Sequence, residues 1–454
     1  MKTRHHELPV YPDPAERERM LQKTWERLDP QFRTANQVLG RRSTIGCVAL
    51  EITQRCNLDC TLCYLSESSE SVKDVPMDVI FRRIDQVREH YGPGVGVQVT
   101  GGDPTLRKRD ELVAIVRRVS ERGLRPSLFT NGIRATRDLL SELAEAGLFD
   151  VAFHVDTTQR RKRYPTEAAL NAVRREYIER ARGLKLAVIF NTTVHGANLA
   201  ELPMLARFFL QNSDVVGMAS FQVHAVTGRG EWRERAPDVT PQAIAEQVRR
   251  GAGLSRLAWD TALVGHPSCN QGTMLATVGE QAIDVLTDRG LYERFLDEFR
   301  HVPFDRRDVK RTAGRVVRTA LANPYWLMRG GLFLLRKLWA VRRELLRGER
   351  IGKITFFIHN FMDSSALDPE RIRNCSFMVM TDDGPISMCE HNARRDEFIL
   401  KPVPLASPKA GKGLWNPLSG GIEESRDPVG PPPPPATRPS DQETETTGTA
   451  QTEM

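Results

Sequence analysis

The sequence predicts an α/β fold: an incomplete barrel of six parallel strand–helix units, then a mainly helical extension and a short cysteine-bearing segment. Two patterns predict it. Between Cys47 and His224, short β-branched runs alternate with longer amphipathic stretches, and connections of this length and kind join parallel strands by right-handed crossovers. After about residue 230 the alternation stops. Six units make a barrel open on one side, and in such folds the chemistry sits at the C-terminal ends of the strands.

Taken in order, residues 1–43 are polar, helical around 14–28, and read as a lead-in rather than a catalytic unit. The barrel core is expected over 44–235, with strands at 47–53, 95–100, 125–130, 150–155, 185–194 and 214–224 and helical patterns such as 77–91 and 111–123 between them. Residues 236–350 read as mainly helical, and 351–403 hold an apolar run followed by two cysteines. From 404 to 454 the chain includes Pro431 to Pro435 and ends in Ser, Thr, Glu and Gln. That composition predicts a disordered tail.

Bulk composition excludes several classes. Of 454 residues, 40% are hydrophobic and 27% charged, as in a soluble globular protein. The 65 basic and 58 acidic residues leave only +7, too diffuse to argue for nucleic-acid binding. The N-terminus has no apolar core, so no signal peptide is expected. No run of about 18 apolar residues is present to span a membrane. A cytoplasmic protein is expected, with peripheral membrane contact left open. Seven cysteines, three of them within eight residues, make a poor disulfide framework and a good metal site for a reducing compartment.

Those three are Cys56, Cys60 and Cys63, in a loop directly after the first strand, with Tyr64 following. Thiolates are soft ligands suited to iron–sulfur clusters. Intervals of three and two residues let one loop wrap three corners of a cubane and leave one iron open. The bland alternative is a zinc knuckle or buried thiols. Zinc takes four ligands, and no fourth Cys or His lies close in sequence. The second strand ends in Thr100-Gly101-Gly102-Asp103-Pro104, where paired glycines let the backbone approach a ligand closely. A plain turn is the alternative.

The loop resembles the signature of the radical S-adenosylmethionine (SAM) superfamily. The resemblance implies a 4Fe–4S cluster on Cys56, Cys60 and Cys63, SAM held at the open iron, and a partial TIM-like barrel. It implies that the backbone of Gly101, Gly102 and Asp103 meets the SAM amino group, although Asp103 stands where the superfamily usually has Glu. Thr130-Asn131-Gly132 is also a common superfamily ending. His154 and Asp156 after strand four, and Asn191 and Thr193 after strand five, are at positions that reach the SAM ribose or substrate in the superfamily; ordinary rim polarity is the alternative. Arg229 is a candidate guanidinium fork for the SAM carboxylate, or a surface arginine. An electron donor such as flavodoxin or ferredoxin is implied.

Cys375 and Cys389 flank a hairpin pattern with its turn at 382–384. A hairpin brings its two ends together, so both can reach one metal, with Cys269 joining them and His391 as a further ligand. Isolated buried thiols are the alternative. Cys47 reads as core. The His-Pro-x-Cys and Cys…Met-Cys-x-His-Asn motifs are similar to the branch that contains archaeal tetraether lipid synthase and methanopterin-methylating enzymes. The extra N-terminal cysteines of tetraether synthase are missing here. No Asp-x-His-x-x-Gly segment is present, so no cobalamin site is expected.

On a helical projection of 326–347, Leu334, Leu338, Val341 and Leu345 share one face, with Arg329, Arg336, Arg343 and Arg347 nearly opposite. Such a helix lies in a bilayer interface or packs its leucines on the barrel. The function expected is reductive cleavage of SAM and hydrogen abstraction from an unactivated carbon of a lipid or small metabolite, leading to C–C or C–S bond formation. A peptide maturase with an auxiliary cluster is the alternative within the class, and a non-catalytic iron–sulfur electron carrier the alternative outside it.

Overall fold

The computed structural model describes residues 14–230, 234–305, 307–407 and 411–424. Its first six strands are β1 (Cys47–Thr53), β2 (Gly96–Gly101), β3 (Arg125–Thr130), β4 (Asp150–His154), β5 (Ala187–Val194) and β6 (Val216–Val223). They pair in sequence order, all parallel. Helices Met77–Tyr91, Arg109–Glu121, Arg137–Glu145, Glu167–Ala181 and Leu202–Gln211 connect them. The outward residues of the strands, among them Val48, Leu50, Val97, Val99, Phe153 and Phe190, are fully buried against these helices. The main core therefore lies between sheet and helices.

The sheet does not stop at β6. The stretch expected to be mainly helical also contributes a hairpin, β7 (Asn270–Val278) and β8 (Gln281–Asp284). The apolar run becomes β9 (Ile351–His359), parallel to β6, and β10 (Phe377–Thr381) with β11 (Gly384–Ser387) adds to the other edge, β10 parallel to β1. The result is an 11-stranded sheet of order β11-β10-β1-β2-β3-β4-β5-β6-β9-β7-β8. The physical reason is visible in β9, whose alternate residues Ile354, Phe356 and Ile358 are completely buried. They need a sheet position with one face on the core. The two edges approach each other through side chains: Phe377 on β10 lies edge-on to Phe357, at 6.2 Å, and to His359, at 4.7 Å, on β9. The open side of the barrel is thus narrowed by an aromatic seam.

Many inward positions carry small or polar side chains: Cys47 and Ala49 on β1, Gly96 on β2, Ser127 on β3, Ala152 on β4, Ser220 on β6. A closed barrel fills this space with bulky branched residues. Here it stays hollow, and a cavity of about 760 Å³ runs from the cysteine loop at the C-terminal ends of the strands to Met20, Arg42, Val302 and Phe304 at their N-terminal ends. The lead-in helix Pro14–Arg27 closes that lower end, with Leu21 buried. Cys47 is buried as expected, yet it faces the lumen.

The tail departs from expectation. Residues 403–407 and 411–424 contribute a second sheet of β12 (Val403–Ser407), β13 (Gly411–Trp415) and β14 (Ile422–Glu424). Val403 and Trp415 are buried in the main core, and the Pro417 carbonyl accepts a hydrogen bond from the Lys73 amide. Two apolar side chains suffice to dock a segment whose overall composition is polar. Residues 425–454, including the proline run, lie outside the described residues.

Candidate active site

The three loop cysteines line the upper end of the lumen. The loop that carries them is fixed from every side. Tyr64 donates its hydroxyl to the Gly101 carbonyl, tying the loop's exit to β2. The Thr61 amide bonds the Thr158 carbonyl at 3.0 Å, and Asn131 Nδ2 bonds Asn57 Oδ1 at 2.7 Å, linking the loop to the segments after β4 and β3. None of the three is in a disulfide, and burial first, with the Asp103 carboxylate adding at Cys56 and that of Asp156 at Cys60, pushes Cys56 and Cys60 upward in pKa.

Gly101 and Gly102 press against the strand-to-loop junction. A Cβ on Gly101, whose φ is +124°, would meet the Thr53 carbonyl oxygen at 1.9 Å, and one on Gly102 would meet that of Arg55 at 2.0 Å. Gly102→Ala is accordingly expected to displace the backbone just ahead of Cys56, at a cost of about 1–3 kcal/mol. Thermal melting and iron content should fall together; a variant that melts like the wild type and keeps its iron would refute the close fit.

Asp103 is buried and its carboxylate is fully engaged. It accepts from the Thr105 amide and hydroxyl, the Thr130 hydroxyl and the Asn131 amide. It therefore clamps the ends of β2 and β3 together, which places its side chain in a positioning role. Asp156, expected at the cofactor, is completely buried behind the cavity wall. It accepts from His154 Nε2 at 2.7 Å, the Thr158 amide at 3.0 Å and the Thr193 amide at 2.7 Å. Burial opposes charge on both partners, yet the pairing wins: Asp156 is held low and His154 is raised above its ordinary value. His154, Asn191 and Thr193 are the residues of this group that face the lumen.

Arg229 also departs from expectation. It does not line the lumen; it clasps the cysteine loop from outside, with Nη1 2.6 Å from Glu70 Oε1 and Nη2 3.8 Å from Asp59 Oδ1, beside Cys63. Its neighbour Gly228, at φ +62°, leaves room for nothing larger, since a Cβ would lie 2.4 Å from the Cys63 carbonyl oxygen. The Thr227–Gly230 segment is the outer wall of the loop.

The distal cysteines converge. Cys375 precedes β10, Cys389 follows β11 in the helix Met388–Ala393, and Cys269 precedes β7. Burial, then the nearby Cys375 and Cys269, push the Cys389 thiol up to about 12; burial first, with Cys375 adding, raises Cys269. Arg371 Nε donates to Cys269 Sγ, and the Met362 amide donates to Cys389 Sγ, each at 3.4 Å. His391 does not join them. It stacks on Phe398, ring centroids 5.1 Å apart, on the far side of β1 near Glu51. His359 was missed from sequence. It lines the lumen, burial drives its pKa down to about 3, and its Nδ1 has no hydrogen-bond partner among the described residues. The next residue's amide bonds the Cys269 carbonyl at 2.8 Å. A histidine closing an alternating apolar run was the available signal.

Among the described residues, no three His, Cys, Asp or Glu side chains are set to hold a single metal ion. A cubane spreads its thiolates over separate iron corners, so its ligands stand wider apart than those of one ion. Three soft sulfurs on one loop, opening on one cavity beside a glycine-built turn, fit such a cluster with a small ligand alongside.

Residues 50–209 match the Radical SAM superfamily model. This stretch, the barrel core of the chain, is thus similar to the radical SAM domain, a family that implies SAM and a 4Fe–4S cluster. Among curated relatives it is 30% identical to 7,8-dihydro-6-hydroxymethylpterin dimethyltransferase of Methanocaldococcus jannaschii, over 41% of this chain and 38% of that one. It is 32% identical to PqqA peptide cyclase of Bradyrhizobium diazoefficiens, over 39% and 47%. It is 29% identical to a tungsten-containing aldehyde ferredoxin oxidoreductase cofactor-modifying protein of Pyrococcus furiosus, over 36% and 47%. The chain spans less than half the length of these relatives.

Proposed function

We propose that this protein holds a 4Fe–4S cluster on Cys56, Cys60 and Cys63, cleaves SAM, and abstracts hydrogen from an unactivated carbon of a lipid or small metabolite, leading to C–C or C–S bond formation. The observation that carries the reading is continuity: the three thiols, the Gly101–Gly102 turn and the hollow barrel share one cavity of about 760 Å³. That volume falls within the range of pockets that enclose a small ligand.

A 4Fe–4S cluster held by Cys56, Cys60 and Cys63 would supply the electron for reductive cleavage of SAM. The chain's own residues do the rest. Gly101 and Gly102 offer backbone without side chains in the way, while Asn191, Thr193 and His154, the last held by Asp156 behind it, present polar groups at the strand ends. Below them Ala49, Ala152, Ile189 and Met218 wall an apolar lumen that excludes water and orients a substrate carbon. A second cluster on Cys269, Cys375 and Cys389 belongs to the same proposal, as does a flavodoxin or ferredoxin as electron donor.

A second reading, a peptide maturase, draws on the likeness to PqqA peptide cyclase. Anaerobic, reconstituted protein with SAM and dithionite is expected to release 5′-deoxyadenosine, and lipid extract offered beside peptide candidates to gain new masses. A product on peptide alone would exclude the lipid reading. No nucleoside release would leave an electron carrier.

A further inference from the structure

The stretch from 309 to 347 is unlike the rest of the chain. It folds as the helix Val309–Leu321, a π-helical turn Trp326–Gly330, and the helices Gly331–Ala340 and Arg342–Leu346, with a break at Val341. One side is packed. Trp326 and Val341 are buried, and Trp326 joins Leu291, Phe299 and Val302 in a small core of its own. Trp326 Nε1 and Asn323 Nδ2 both donate to Glu298.

The other side is bare. If the leucines packed on the barrel, Leu334 and Leu338 would be buried; they are 55% and 40% exposed. Of the 14 exposed large hydrophobic residues described, 10 fall between 317 and 346, and Met328, Trp339 and Leu346 exceed 65% exposure. Scattered single apolar residues need no explanation, but a concentrated patch marks an interaction surface. Charge is segregated to the same place. Residues 309–347 carry ten Lys or Arg against one acid, Glu344, an excess larger than the +7 of the whole chain. The guanidinium of Arg342 lies 4.3 Å over the Trp339 ring, joining the two characters at one spot.

We propose that the 309–347 arm is a docking element that seats its apolar side chains in the interface of a bilayer containing anionic lipid, with its arginines on the lipid phosphates. A basic excess combined with exposed Leu, Met and Trp suits a negatively charged apolar interface, and both terms of the attraction act together there. No helix among the described residues is long and apolar enough to cross a membrane, so the contact is one of surface seating. The arm's root adjoins the barrel's lower end: Arg315 Nη1 donates to the Pro303 carbonyl, and Val302, Pro303 and Phe304 line the lumen there. A seated arm holds the lower end of the lumen beside the lipid.

The test is sedimentation of the full chain with phosphatidylcholine vesicles, with and without phosphatidylglycerol, and it reads no turnover, so it stands apart from the proposed chemistry. The wild type is expected to pellet with the anionic vesicles, and its binding to weaken about tenfold or more on neutral vesicles or for Arg336→Glu/Arg343→Glu. Leu335→Glu/Trp339→Glu is expected to stay in the supernatant. These four side chains are exposed, and an unchanged thermal melt confirms that each variant is folded. Wild type that remains soluble with anionic vesicles overturns the proposal. So does a lipid-free dimer, seen by sedimentation velocity and broken by Leu335→Glu/Trp339→Glu, in protein that ignores vesicles: that result assigns the face to a second copy.

Discussion

Replacing Cys56, Cys60 and Cys63 together by alanine is expected to abolish 5′-deoxyadenosine release while leaving a folded chain that keeps about four irons of about eight. The loop has fastenings other than its sulfurs. Tyr64, Thr61 and Asn57 fasten it to three neighbouring strand ends, and Arg229 braces it from outside. The thiols face the cavity instead of the hydrophobic core. Alanine at all three should therefore remove metal without removing the fold. The complementary Cys269, Cys375 and Cys389 triple variant should lose the other irons and keep nucleoside release. Anaerobic iron analysis beside a single-turnover nucleoside assay reads both. Nucleoside release by the first variant, or a wild-type count of about four irons, would dismiss the respective site.

What the sequence made legible follows from locality. The cysteine intervals, Gly101–Gly102 and the six strand–helix units are encoded within a few residues of one another, where spacing and periodicity act directly. Asp156 and Arg229 depart from expectation because a residue past a strand end, two positions on for Asp156 and six for Arg229, turns into the lumen or behind it according to tertiary hydrogen bonds. The Thr193 amide and Glu70 decide those two cases. The joining of β9 and β10 to opposite edges is a pairing across more than a hundred residues, invisible to any local pattern. Burial of Val403 and Trp415 was hidden in the same way, because a polar average conceals two docking side chains. The hollow lumen, by contrast, was written at alternate strand positions in Cys47, Ala49, Gly96, Ser127 and Ala152.

Arg395→Met is expected to destabilise the protein by about 3–5 kcal/mol, the usual cost of leaving a buried charge without its partner. Arg395 and Glu51 are 2% and 6% exposed. The guanidinium bonds Glu51 Oε2 at 2.8 Å, Gln54 Oε1 at 3.2 Å, the Tyr64 carbonyl at 3.0 Å and Asn392 Oδ1 at 2.8 Å. One side chain from the C-terminal region thus closes both ends of the cysteine loop. Burial alone would raise the Glu51 carboxyl; Arg395 outweighs it and holds the group at about 2, against an ordinary 4.5. A carboxylate lowered on folding contributes stability that is fully present above pH 4.5 and lost as pH falls towards 2. Integrated, that amounts to about 3 kcal/mol. Denaturant titrations at a series of pH values should show wild type losing stability through this window more steeply than Glu51→Gln. The Glu51→Gln/Arg395→Met pair should recover part of the single-variant loss, because it leaves no charge stranded. Strictly additive losses, or an acid limb unchanged by Glu51→Gln, would mean that the pair does not clasp the loop.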